Sequence, residues 1–297
     1  MIKLSVTFSL SILLFFACSK QNDVAETATS GNVKFAYDES FKSIARQEKD
    51  VFQYQYKYAS VSDTMVPQEI AHQMLLRDSV KLIFSSRMLN ENELAYLKSK
   101  NVFPKMYEFA EDGLVIILNR NNPDSLLILD EFRNKILSQK GLKLVVDNAK
   151  GSSLSSFLSS FGFKDDTLKN VYSADSTEGV ISYVSENLNA IGIISSAWIS
   201  DDENPNVQKL RSKIRIAKVS AKKDSLSYYP FQSEIADSLY PLMRKIYIIS
   251  RESKMGIANG YASFLLGEKG QRIVLKAGLV PSRMPSREVV ISKKDIR

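Results

Sequence analysis

The sequence predicts an α/β protein, and three observations carry that prediction. Strand-like and helix-like stretches alternate from Val33 onward, the texture of chains built on a mostly parallel sheet. Apolar residues make up 44% of the 297, enough to bury the core of one large or two ordinary domains. No internal repeat interrupts the pattern, and no low-complexity run appears beyond a polar, aperiodic stretch near the N-terminus.

Taken in order, "MIKLSVTFSLSILLFFAC" places Lys3 before an apolar run from Leu4 to Ala17. That run is too short to span a bilayer and reads as a secretory signal over residues 1–17. Ala17-Cys18 resembles a bacterial lipobox, although Phe16 stands where a small or branched residue is commonest. The resemblance predicts a mature chain that begins at an acylated Cys18 and is anchored to a membrane. An ordinary signal peptide with an incidental cysteine is the alternative. "SKQNDVAETATSGN", residues 19–32, reads as a flexible tether, so 18–30 is assigned as a lipidated tether.

"NVKFAYD" reads as a strand and "ESFKSIARQEKDVFQYQY" as a helix with Phe41, Ile44, Ala45 and Phe52 on one face. "YKYASV" is the next strand, and "PQEIAHQMLLRDS" a helix with Pro67 in its first turn. After the strand "VKLIFSS", "NENELAYLKSKN" is a helix with a capping box from Asn90 to Glu93. "VFPKMYEFAEDGLVIILNR" predicts two strands around an Asp112-Gly113 turn. "PDSLLILDEFRNKILSQ" is helical, "LKLVV" a strand, "STEGVISYVSEN" a helix and "AIGIISS" a strand. "DDENPNVQKLRSK" reads as a loop and "IRIAKVS" as a strand. "YYPFQSEIADSLYPLMRKIYIIS" holds a turn and a long strand, and "GIANGYASFLLGEKGQRIVLKAG" one broken helix or two.

The net charge of +7 comes from scattered basic residues without interleaved aromatics, so no nucleic-acid partner is expected. One cysteine and one histidine exclude a disulfide framework and a Cys/His zinc cluster. A serine triad would have to use His72, which falls in a helical pattern as a surface or partly buried residue. Ser220 opens an S-x-x-K string without its companion motifs, and "DDENPN" lacks the glycine and terminal glutamate of a calcium loop. No catalytic residue, metal or cofactor is assigned, and no enzyme activity is expected.

Four helix entrances follow strand ends: Asp38-Glu39-Ser40, Ser85-Ser86-Arg87, Gly151-Ser152-Ser153 and Ser176-Thr177. Helix N-termini carry free N–H groups and the positive end of the macrodipole, so hydroxyl-rich entrances suit an oxyanion. Each serine is equally a plain N-cap. The candidate ligand-binding residues are Ser40, Ser85, Ser86, Arg87, Gly151, Ser152, Ser153 and Thr177, with Arg87 as the best cation and a surface ion pair as its other reading. Tyr37, Tyr183, Trp198, Tyr228 and Tyr229 are read as core or surface aromatics that can also line a cleft.

Three stretches carry a resemblance. "AEDGLVIILNRNNPDSLLILDEFRNKILSQK", "STEGVISYVSENLNAIGIISSAW", and "YPLMRKIYIIS" with "ASFLLGEKGQRIVLKAGLVP" are similar, in this order, to substrate-binding proteins of phosphate ABC transporters. The resemblance implies a two-lobed periplasmic-binding-protein-like fold (type II) with a ligand cleft between lobes. Lobe 1 would be 31–116 plus 243–297, and lobe 2 would be 117–242. It further implies an extracytoplasmic protein, periplasmic or on the cell surface, that captures an inorganic oxyanion. Phosphate comes first, handed to an ABC permease in the inner membrane by a monomer that closes at a hinge. The chain departs from the family at "YDESF", where a Gly-Ser-rich or Thr-containing loop is usual, and at Asp147, where an arginine is usual. Asp38, Glu39 and Asp147 would repel a polyanion unless they take its proton or turn away. The alternatives are a surface lipoprotein of this fold used for sensing or adhesion, and a different small ligand.

Overall fold

The computed structural model describes residues 26–138, 143–163 and 171–285; the signal segment and Cys18 lie outside the described residues. β1 (Ser30–Tyr37) buries Val33, Phe35 and Tyr37, and a short 3-10 turn (Glu39–Phe41) leads into α1 (Lys42–Gln55). Ile44, Ala45 and Phe52 lie on its inner face, as the helical spacing requires. β2 (Tyr58–Met65), α2 (Gln68–Leu76), β3 (Leu82–Ser85) and α3 (Glu91–Ser99) follow, and the capping box between Asn90 and Glu93 is formed in both directions. Then come β4 (Lys105–Asn119), β5 (Leu126–Ile128), α4 (Leu129–Ser138), β6 (Lys143–Val146) and α5 (Ser152–Ser160). β7 (Val171–Ser173), α6 (Thr177–Glu186) and β8 (Ala190–Ser195) precede a 3-10 turn at Ser196–Trp198. The chain continues through α7 (Pro205–Arg211), β9 (Ile214–Ile216), β10 (Lys218–Ser220), β11 (Ser227–Tyr228) and α8 (Gln232–Ala236). It closes with β12 (Met243–Ser250), α9 (Ile257–Leu266), α10 (Glu268–Lys276) and β13 (Val280–Pro281).

The main sheet runs β2-β1-β3-β12-β4-β8-β6-β7, and β4 joins its two halves. Its first part pairs with β12 from Lys105 to Gly113; from Leu114 onward its partners are β8 and β9. Each half is covered on both faces by a separate apolar cluster. Phe35, Phe52 and Tyr261 centre one and Ala71, Leu75 and Ile83 another in the first half. Phe157, Ile193 and Tyr240 centre one and Val180, Ile181 and Ile194 another in the second.

The sheet is mixed rather than mostly parallel, because β12 runs antiparallel to β3 and β4, and β4 antiparallel to β8. The expected Asp112-Gly113 turn is absent, and one continuous strand passes through it. Its register places Asp112 opposite Arg244, and this buried pairing overrides the local turn signal. Gly113 has a packing role instead, since a Cβ there would lie 2.9 Å from Ile235 Cδ1. The expected loop at 201–213 contains α7, started by Asn204 as N-cap and Pro205 in the first turn. Leu126–Ile128 is a strand that pairs with β10, not the start of a helix. "IRIAKVS" is divided between two sheets.

The last residues of the expected tether are folded. The Thr27 N–H donates to the Ser30 carbonyl at 2.9 Å, and the Ala28 carbonyl packs on α9 where a Cβ on Gly260 would approach it to 1.8 Å. Gly260→Ala is therefore expected to dislodge residues 26–29 at a cost of about 1 kcal/mol. Limited proteolysis should then cut near Ala28 under native conditions, where the unsubstituted chain resists.

Candidate functional site

The carboxyl end of β1 meets the N-terminus of α5 in a buried polar chain. α5 has Gly151 as N-cap, which supplies no side-chain cap and leaves the Ser152 N–H free for an outside acceptor. That acceptor is Asp38: one carboxylate oxygen takes the Ser152 N–H, and the other takes Ser40 Oγ–H at 2.6 Å and Ser40 N–H at 3.1 Å. The Ser40 and Ser152 hydroxyls touch at 2.7 Å, and Arg244 Nη1 donates to Ser152 Oγ at 3.0 Å. With the Ser40 hydroxyl donating to Asp38, the chain has one polarity, from Arg244 through Ser152 and Ser40 to Asp38.

Arg244 is nearly buried, with its guanidinium over the Phe41 ring. Nε donates to Asp112 Oδ2 at 2.9 Å, while Asp112 Oδ1 takes the Ser196 N–H and hydroxyl at 3.0 and 2.9 Å. Such a pair holds up only because its remaining lone pairs are satisfied. Ser153 Oγ lies 3.4 Å from Asp147. Burial, then the charge of Asp38, pushes the Asp147 carboxyl up to about 7.

A second crossing contact lies beside the first. The Thr177 N–H, the first of α6, donates to Glu39 Oε1 at 3.3 Å. Burial holds Glu39 above its ordinary range despite Lys42 at 3.3 Å. Lys42 also lies 5.4 Å from the centre of the Trp198 ring. The assembled centre thus holds four carboxylates, Asp38, Glu39, Asp112 and Asp147, against Arg244 and Lys42.

Ser40, Gly151, Ser152, Ser153 and Thr177 are brought together here. Ser85, Ser86 and Arg87 form a different network. Ser86 N–H and Oγ–H both donate to Gln68 Oε1, at 2.7 and 2.9 Å. The Arg87 guanidinium uses all five donors on Glu69, Glu93 and the Met88 carbonyl, leaving none for a ligand in this state. Ser86 and Arg87 line a groove of about 430 Å³ that Ser155, Ser159, Arg244 and Lys245 also border. His72 is fully buried, not at a helix surface. Its Nε2 lies 2.8 Å from Ser85 Oγ and its Nδ1 3.3 Å from Glu93, an alignment like that of a hydrolytic triad. Ser85 is itself fully buried and its Oγ–H donates to the Arg87 carbonyl at 2.7 Å, so the three residues brace β3 against α2 and α3. Burial, then the charge of Arg87, lowers the imidazole to about 4 and keeps it neutral.

Among the aromatics considered, Tyr37 is core and donates to Asp63 at 2.6 Å; burial, then this bond, raises its hydroxyl to about 12. Tyr183 stacks on Tyr172, and Tyr229 lies under Lys218. Trp198 alone of this group meets the centre. No group of acidic, histidine or cysteine side chains among the described residues is arranged to hold a metal. The residues of this centre missed in the sequence are Arg244 and Asp112. Their signal was present: Leu242, Arg244, Ile246 and Ile248 alternate on one face of a strand, so a charge points inward.

A family model described as a PBP superfamily domain matches residues 22–269. No curated protein matches the sequence. Solved structures with the same fold include a phosphate-bound protein from Clostridium perfringens, assigned provisionally as a phosphate ABC transporter substrate-binding protein. It is 19% identical, with TM-score 0.71 over 85% of this chain and 100% of that one. An ABC-type phosphate transport receptor from Vibrio cholerae is 17% identical, with TM-score 0.64 over 84% of this chain and 100% of that one. The CcmR regulatory domain of Synechocystis PCC6803, in complex with 2-PG, is 13% identical, with TM-score 0.55 over 86% and 100%.

Proposed function

Because the chain belongs to the PBP superfamily, we propose that it is an extracytoplasmic solute-binding protein that captures an inorganic oxyanion, phosphate first. It delivers the ion to an ABC permease in the inner membrane. The observation that carries this reading is that an oxyanion already sits in the cradle. The Asp38 carboxylate takes one N–H from the start of α5 and a hydroxyl and N–H from Ser40, with Arg244 one hydroxyl away. A phosphate needs the same convergent donors, and a desolvated cleft strengthens each of them. The proposed ligands are Ser40, Gly151, Ser152, Ser153 and Thr177, with Arg244 as the cation. Ser86 and Arg87 form the outer wall, and Ser85 braces them from beneath. Lobe 1 (31–116 plus 243–297) and lobe 2 (117–242) close over the ion. The protein works as a monomer without a cofactor, performs no chemistry on the ion, and is held to the membrane through acylated Cys18.

Calorimetric titration of the full chain in mild detergent with phosphate, sulfate, arsenate and molybdate tests this. One ion bound tightly is the expected result, and no heat with any of the four would overturn it. Ser152→Ala is expected to weaken phosphate binding roughly tenfold, about 1.4 kcal/mol, because it breaks the relay from Arg244 to Ser40. An unchanged affinity would remove Ser152 from the site.

One observation favours a second reading, a surface lipoprotein used for sensing or adhesion. Four carboxylates face two cations in the centre, and the Ser152 N–H and the Ser40 and Ser152 hydroxyls are already engaged within the chain. Absence of heat with all four oxyanions is the result this reading expects.

A further inference from the structure

Asp38 and Glu39 are consecutive residues, and each reaches across to a different helix of the second half. Asp38 caps the start of α5, and Glu39 caps the start of α6. Neither helix can satisfy these positions itself. Gly151 brings no capping side chain, and the Ser176 hydroxyl is engaged by the Gly179 N–H at 3.0 Å, which leaves the Thr177 N–H open. Both acids are buried, 2% and 6% exposed, so water does not serve in their place. Asp38 also has a second, local set of partners. Its Oδ1 caps its own turn through Ser40, and that contact is independent of α5. Asp38 can therefore leave α5 and stay half satisfied, as a two-state element requires.

We propose that Asp38 and Glu39 are tethered competitors of the solute: they hold the cleft shut when no anion is bound, and an entering anion must displace them. The proposal rests on the oxyanion reading only for the identity of the competitor; the self-closure stands on the contacts themselves. Because the open, binding-competent state is a fraction of the whole, apparent affinity falls by that fraction. The device also sets a threshold. A monocarboxylate offers the helices nothing that Asp38 does not already give, whereas a tetrahedral polyanion brings further oxygens for Ser153, Thr177 and Arg244.

The test uses the one tryptophan of the chain as reporter, because Lys42 of the first half lies over the Trp198 ring. The probes are inorganic phosphate, sulfate and molybdate with the full chain in detergent. Asp38→Asn combined with Glu39→Gln keeps side-chain shape but replaces an accepting oxygen with a donor. Without any anion, this double variant is expected to show Trp198 emission at longer wavelength and a larger radius of gyration in solution scattering. Phosphate should reverse both and bind at least tenfold more tightly than to the unsubstituted chain. Emission and radius equal to those of the unsubstituted chain would overturn the proposal even if affinity rose, since a rise alone follows from removing negative charge. Opening without binding of any probe would uphold the self-closure and overturn the oxyanion reading. Thr177→Pro is a second, independent variant. It removes the N–H that Glu39 accepts together with the threonine hydroxyl, at a first helical position where proline is tolerated, so opening is read without anion. It should open the cleft in part, and no opening there counts against Glu39.

Discussion

Arg244→Met is expected to destabilise the protein by roughly 3–5 kcal/mol, the largest effect of any single polar substitution here. The guanidinium lies between β12 and β4, opposite the fully buried Asp112. Removing it leaves the Asp112 carboxylate with only the Ser196 donors, in a place from which water is excluded. Urea unfolding at neutral pH measures the loss. The sign of the cause is checked by adding Asp112→Asn, which removes the stranded charge and should recover most of the stability without recovering anion binding. A loss below about 1 kcal/mol would mean that Asp112 finds another partner or a proton.

Glu48→Gln is expected to act in the opposite direction. Glu48 lies on α1, fully buried, with neither carboxyl oxygen partnered among the described residues. Burial holds its carboxyl well above the usual range, so the folded state keeps a proton that the unfolded chain releases. The stability contributed by the neutral acid is therefore present at low pH and lost as pH rises above the unfolded value. The variant should match the unsubstituted chain near pH 4 and exceed it at pH 8, by about 1.4 kcal/mol for each tenfold by which folding strengthens proton binding at Glu48. Asp147, raised to about 7, adds a slope of the same sign to both proteins, so the difference between their pH profiles isolates Glu48. A constant difference across pH would show that Glu48 is already ionised and bridged.

How much was legible in the sequence depended on whether a signal was local. The helical face of Ile44, Ala45 and Phe52 and the capping box at Asn90 are written within a few residues, and both formed. Asp112-Gly113 is also a local turn signal, but its strand neighbour Arg244 lies far along the chain and decided otherwise. The same distance hid the site. The entrances at Ser40, Ser152 and Thr177 were visible as polar steps after strands. Their convergence, and the arginine that serves them, depended on a crossing strand whose register no local pattern records. Arg87 shows the converse: a cation beside two serines looked available until α2 and α3 brought Glu69 and Glu93 to it.

The folded residues ahead of β1 fix where the chain leaves the protein. Thr27 bridges to Ser30 and Ala28 rests on α9, at the start of a strand whose other end carries Asp38. Eight strand residues set these ends about 26 Å apart. An anchor at Cys18, as proposed above, would turn the exit point toward the bilayer and the cleft away from it. The surface potential of anionic lipids decays within roughly 8 Å at physiological salt. The cleft would then gather its ion from bulk solution, beyond the layer that anionic headgroups deplete of anions, and capture would not vary with the lipid composition beneath it.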